Sequence, residues 1–329
     1  MRLSALPALD TATYVPHYLH GETRAWVETN CYIDVWIEVL SALGLEPAAC
    51  MGMVLANDFD GDQWTFYKPP HEDLAALYGL QVQELNVWRS ILENASEQLQ
   101  RGRLVLTEID AFHLPDTAGT DYRRNHVKTT IAIAQIDTAA QTLGYFHNRS
   151  FHQLSGEDFV NLFRLGFVHD LAFMPFFAEF VRLDRVQRRS SQELAVIAKT
   201  LLRKHFERRP ATNPVTAYLP RFVADIEALK PQGLAAYHAY AFANLRQLGS
   251  GAELAAYHLR WLEANGQGEL EAAAVEFSAI SDTTKMLLLK AARAVMSKKP
   301  TDLVVVLETL AGHWDAAMGH LATALNTPH

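Results

Sequence analysis

The chain has 329 residues, a net charge of −8, and 49% hydrophobic against 20% charged residues, the make-up of a globular protein able to bury one large core or two medium ones. Two cysteines cannot form a disulfide framework, and the acidic balance argues against general nucleic-acid binding. No run reaches the roughly 20 apolar residues of a membrane span, and residues 1–10 lack the unbroken apolar stretch of a signal peptide, so a cytoplasmic protein with no membrane partner is expected.

From the N-terminus, His17, His20 and Glu22 imitate a metal-ligand set, as do His147 and His152 further on. No HExxH or paired CxxC accompanies them, so neither a metal nor a cofactor is expected. After Cys31, the residues Ile33, Trp36, Ile37, Leu40 and Leu43 recur at the spacing of one helical face, with Asp34, Glu38 and Ser41 off it. The pattern predicts a helix from Cys31 to Leu43, stopped by Gly44 and kept from continuing by Pro47. Cys31 then occupies the first turn, where unpaired N–H groups and the helix dipole favour a thiolate. Cys50 reads as buried and inert. Trp26, Trp36, Trp64 and Trp88 read as core, with Trp64 a candidate pocket wall.

Leu104–Ile109 reads as a strand. The segment His126–Ile136 is rich in β-branched residues and alternates like one, residues 137–141 supply a turn, and Thr142–Asn148 is the returning strand. This places Asn148 at the same end of the hairpin as His126. The chain order Cys, His, Asn, with a nucleophile at a helix start and a histidine at a strand mouth, is the arrangement used by papain-like enzymes. No GxSxG elbow, glycine-rich phosphate loop or Walker sequence competes with it.

After about Phe151 the chain reads as almost entirely helical, with capping boxes at Ser155–Asp158 and Ser190–Glu193 and punctuation at Gly249, Gly251 and Pro300. The fold class expected is α+β: a papain-like cysteine-enzyme domain over residues 1–165, followed by a mostly helical domain over 166–329. One basic segment interrupts the acidic average. Between Arg182 and Arg209 nine Lys or Arg face three acids. A solvated helix surface explains most such runs. The functional reading is a docking face for an acidic partner, with Arg182, Arg185, Arg188, Arg189, Arg203 and Lys204 as its contacts, and nucleic acid is a weaker third option.

The stretches Asn30–Glu38, Gln63–Lys68, Tyr78–Trp88, Asp110–Asp116 and His126–Thr130 resemble a bacterial family catalogued as domain of unknown function 1839. The order of Cys31, an Asp-x-x-x-Leu-Pro strand end and a His-led strand is more distantly similar to the N-terminal papain-like domain of the butirosin biosynthesis acyltransferase. That resemblance implies transfer of an acyl or aminoacyl group from a carrier protein's phosphopantetheine thioester, through an acyl-cysteine on Cys31, to a small-molecule amine. It implies His126 as base and, at the third position, an acid in place of Asn148, for which Asp137 is the candidate. The backbone N–H of Cys31 and the side chain of Asn30 would meet the oxyanion. Hydrolysis of an amide or peptide by the same dyad, and a binding module without catalysis, are the alternatives.

Overall fold

The computed structural model describes residues 2–6, 9–166, 176–297 and 302–326. Pro300 lies outside them. The chain divides into two compact units. The first comprises residues 1–21, 31–46 and 74–188, and the second residues 22–30, 47–73 and 189–329.

The first unit is built on a seven-stranded sheet with every pairing antiparallel. Its strands are β1 (Arg2–Ser4), β2 (Gln81–Glu84), β3 (Leu104–Asp110), β4 (Lys128–Asp137), β5 (Thr142–His147), β6 (Ser150–Ser155) and β7 (Ala178–Arg182). They run in the order β2-β7-β3-β4-β5-β6, with β1 extending the β3 edge of β4. The hairpin read from the sequence forms as β4 and β5. Residues 129–136 of β4 are all buried, because both of its faces are covered. This explains a nearly continuous run of apolar and β-branched residues where a half-exposed strand would alternate with polar ones.

Helix α1 (Cys31–Ala42) covers one face, packing on β4 and β5. On the other, Ile131, Ile133 and Tyr145 join a core with Leu92, Ala95 and Leu99 of α3 (Ile91–Gln100) and Phe159 and Leu162 of α4 (Glu157–Leu162). A capping box at Ser90 and Glu93 starts α3. The one expected at Ser155 does not form, since Ser155 ends β6 and Gly156 precedes α4 without a side-chain cap. Helix α2 (His71–Tyr78) runs across the division between the units.

The boundary expected at residue 165 moves to the Arg188/Arg189 junction. Strand character does not end near Phe151: β7 pairs with β2 and β3 and completes the sheet. The second unit also takes up Glu22–Asn30 and Pro47–Asp73 from the N-terminal half.

That second unit is helical: α5 (Ser191–Glu207), α6 (Pro214–Leu229), α7 (Leu234–Ala243), α8 (Leu245–Ala264), α9 (Glu271–Met296) and α10 (Val304–Asn326). The capping box at Ser190 and Glu193 starts α5 as expected. Gly249 and Gly251 do not punctuate the chain. Both lie inside α8, where a Cβ on Gly249 would stand 2.4 Å from the Trp26 ring and one on Gly251 2.9 Å from Asn57. The glycines let residues 22–30 and the 3-10 segment Pro47–Ala56 press against the helix. Gly52 of that segment meets His258 of α8 in the same way. Burial pushes His258 down to about 4, and its Nδ1–H donates to the Ala48 carbonyl at 2.7 Å.

Candidate functional site

Cys31 is the first residue of α1 and is neither exposed nor fully buried, while Cys50 is buried. The helix ends as its sequence predicts. Gly44 adopts φ +69°, its N–H donates to Ser41, and the Leu45 N–H donates back to Leu40, a Schellman termination. The residues off the apolar face are not all turned to solvent. Asp34 and Glu38 are buried, and the equally buried His20 lies between them, 3.1 Å from Asp34 through Nε2 and 2.5 Å from Glu38 through Nδ1. Tyr14 and the His17 backbone N–H also donate to Glu38. Burial alone would lower the His20 pKa. The hydrogen bonds and charges of the two carboxylates outweigh it and raise the value, favouring the imidazolium beside α1.

The Cys31 thiol donates to Thr130 Oγ1 of β4 at 3.6 Å. Thr130 stands opposite Glu108, and Lys128 opposite Asp110, in the β3–β4 ladder. Cross-strand partners and alternate residues share a face, so these four side chains lie on the face that α1 covers. Lys128 Nζ donates to Glu108 at 2.8 Å. Two residues before Lys128, His126 donates from Nδ1 to Asp110 Oδ2 at 2.6 Å. Asp110 Oδ1 is meanwhile held by the Phe112 N–H at 3.0 Å, and the imidazole stacks on the Phe112 ring at 4.3 Å and 12°. One turn thus fixes the carboxylate and the plane of the ring. The His126 side chain is 71% exposed, and its Nε2 is turned away from the carboxylate.

No hydrogen bond joins Cys31 to His126. His126 precedes Thr130 by four positions, about 13 Å of extended chain, with the Glu108–Lys128 pair between them. The structure therefore brings the thiol and the imidazole to one face but not into contact. The residue that orients the imidazole is Asp110, in place of Asn148 or Asp137. Asn148 occupies the left-handed turn between β5 and β6, at φ +49°, a conformation asparagine tolerates. Asp137 ends β4 at the far end from His126, and its carboxylate accepts the Ala139 and Ala140 N–H groups of the hairpin turn. Asn30 belongs to the second unit, where it is buried and donates to the Tyr67 carbonyl at 2.9 Å, so its amide is already committed. Asp110 was visible in the sequence only as the head of an Asp-x-x-x-Leu-Pro stretch. Its role needed the β3–β4 register.

On the opposite face of β4, His147 donates from Nδ1 to Asp116 Oδ2 at 2.5 Å and accepts from Thr129 Oγ1 at 2.8 Å, with Tyr145 also donating to Asp116. All four are buried. The chain pins the Asp116 turn beneath β4 and β5.

The six basic residues are divided between the units. Arg182, Arg185 and Arg188 fall in the first unit, and Arg189, Arg203 and Lys204 in the second. Arg182 is paired with Asp184, Arg188 donates to the Leu43 carbonyl, and Lys204 pairs with Glu72 and Asp73, the latter also bonded to His205. Trp26, Trp36 and Trp64 are buried, but Trp88 is 79% exposed with Arg89 over its ring. Among the described residues no group of three or more His, Cys, Asp or Glu is placed to hold a metal, and no helix is long and apolar enough to cross a membrane.

These features define a two-part chain: an antiparallel α+β unit carrying a free cysteine at a helix start and a carboxylate-held histidine, and a helical unit. Residues 15–183 match the DUF1839 N-terminal domain and residues 191–323 the DUF1839 C-terminal domain, so the chain belongs to the DUF1839 family. The gap between the two matches contains the Arg188/Arg189 division. No curated protein matches the chain.

Proposed function

We propose that this protein is a papain-like cysteine acyltransferase whose nucleophile is Cys31 and whose base is His126, oriented by Asp110. One observation carries the reading: the thiol opens a helix laid on the same sheet face that presents the Asp110-held imidazole. The separation of the two groups leaves the first stage to the thiol alone. A thiol exchanges with a thioester of similar leaving-group pKa without a strong base. Cys31 Sγ attacks the thioester carbonyl, the C–S bond to the donor breaks, the thiol proton goes with the departing thiolate, and an acyl-cysteine remains. In the second stage the acyl-cysteine has to come within reach of His126: an amine attacks its carbonyl as the C–S bond breaks, His126 Nε2 takes the amine proton, and the imidazolium returns that proton to the Cys31 thiolate. The donor is an acyl or aminoacyl thioester on a pantetheine arm.

The missing Cys31–His126 bond is what favours the rival reading, a binding module with an inert thiol. Intact-mass spectrometry on mixing the protein with acyl and aminoacyl pantetheine thioesters separates the two. The wild type should gain one acyl mass and pass it to added amine. Cys31→Ala should gain none, and His126→Ala should acylate yet fail to transfer. If no donor acylates the wild type and Cys31 alkylates no faster than Cys50, the proposal falls.

A further inference from the structure

The inner side of α9 is closed off from solvent at Phe277, Ile280, Leu287 and Ala291, and the helix packs on α8 and α10 within the helical unit. Its outer side is apolar as well. Val275, Met286, Leu289 and Met296 are all exposed, Met296 by 70%. Among the described residues α5, α6, α7 and α10 each expose one large apolar side chain, Val196, Val223, Phe242 and Val305. With Ala279, Asp282 and Arg293, the four on α9 form a single row that recurs by fours and threes. At 3.6 residues per turn the row keeps within an arc of about 100°, the geometry of a coiled-coil seam. Isolated apolar residues on a surface need no partner, but a row of them at seam spacing marks an interaction face.

The two charges in the row decide what that partner is. Asp282 and Arg293 are both exposed, and among the described residues neither side chain has a hydrogen-bond or ion-pair partner. A second copy of α9 laid antiparallel, with the two-fold axis midway between Met286 and Leu289, sets Asp282 against the partner's Arg293 and Arg293 against the partner's Asp282. The same register sets Met286 against the partner's Leu289, and the small Ala279 against the partner's long Met296. In a parallel pair each charge would meet its own copy and be repelled. An antiparallel slip of one heptad in either direction leaves each charge facing an apolar residue or the space beyond the helix end. One alignment therefore satisfies both charges, and the face is complementary to itself.

We propose that α9 is the interface of a homodimer in which two copies pack this row antiparallel about a two-fold axis. The row is about 32 Å long and one helix wide, an interface of the small class that associates weakly. The dimer is independent of the Cys31 chemistry, and its test is a measurement of mass on the full chain.

In sedimentation equilibrium from about 1 to 200 μM, the mass should rise from that of one chain toward that of two. Leu289→Lys should keep the wild-type melting temperature, because the side chain is exposed, and weaken dimerisation about tenfold or more. Asp282→Arg sets like charges opposite each other and should weaken it by about as much. Combining Asp282→Arg with Arg293→Asp exchanges the pair and should restore the association to within about threefold of wild type. A single-chain mass at every concentration, a dimer that Leu289→Lys leaves intact, or a double variant no tighter than Asp282→Arg alone would each overturn the proposal.

Discussion

His126 reaches Asp110 across the β3–β4 ladder because Asp110 pairs with Lys128, the first residue of β4, two positions after His126. The carboxylate is itself clamped by the Phe112 N–H, and the ring by the Phe112 face. An imidazole held through Nδ1 presents Nε2 outward as a proton acceptor.

Asp110→Asn should therefore slow amine transfer by about 10²–10⁴-fold, the usual worth of an oriented general base. Formation of the acyl-enzyme should change little, because thioester exchange does not draw on His126. Single-turnover mass spectrometry resolves the two steps. Equal slowing of both would contradict the division of labour.

The His20 pair makes stability depend on pH. The folded pKa of His20 lies above its usual 6.5, so the group's stabilisation is complete below that value and is lost as pH rises through the folded pKa. Glu38→Gln removes one buried partner and should cost about 3–5 kcal/mol. In urea titrations the deficit should be larger at pH 6 than at pH 9.

Asp116 acts in the opposite direction. Burial would raise its pKa, but the hydrogen bond and charge of His147, with further help from His152 and Tyr145, hold it below the usual 3.8. Its stabilisation is present above that value and is lost as pH falls through the folded pKa. Asp116→Asn should destabilise the protein at pH 7, and the difference from wild type should shrink below pH 3.8, as read from urea midpoints.

Two helical glycines separate packing from propensity. Gly249→Ala drives a Cβ to 2.4 Å from Trp26 and should cost about 1–3 kcal/mol. At Gly312 in α10 nothing lies within 4 Å of the added Cβ, so Gly312→Ala should gain about 0.5–1 kcal/mol. Calorimetric melting of the two variants should show shifts of opposite sign.

Much of the local structure was legible in the residues. The α1 start at Cys31, its Gly44 stop, the β4–β5 hairpin and the capping box at Ser190 all depend on groups within a few positions of one another. Readings that rested on what a face meets fared worse. The polar side of α1 stood out only as lying off the apolar face, because periodicity reports contrast and cannot tell water from a buried histidine. Gly249 and Gly251 read as breaks because glycine marks both a chain turn and a close approach. β7 was hidden because a five-residue strand next to a basic run carries little pattern of its own.

The candidate site divides along the same line. By itself the sequence determined the setting of Cys31 and His126: a cysteine at a helix start and a histidine at a strand mouth, both local properties of backbone and spacing. Only the tertiary structure decided that Asp110 holds that histidine, that Asp137 is at the wrong end of β4, that Asn30 is spent on Tyr67, and that the basic run is divided between two units. Each of these depends on strand register or on partners far apart in the chain, and pairing across such distances is set by how the faces pack.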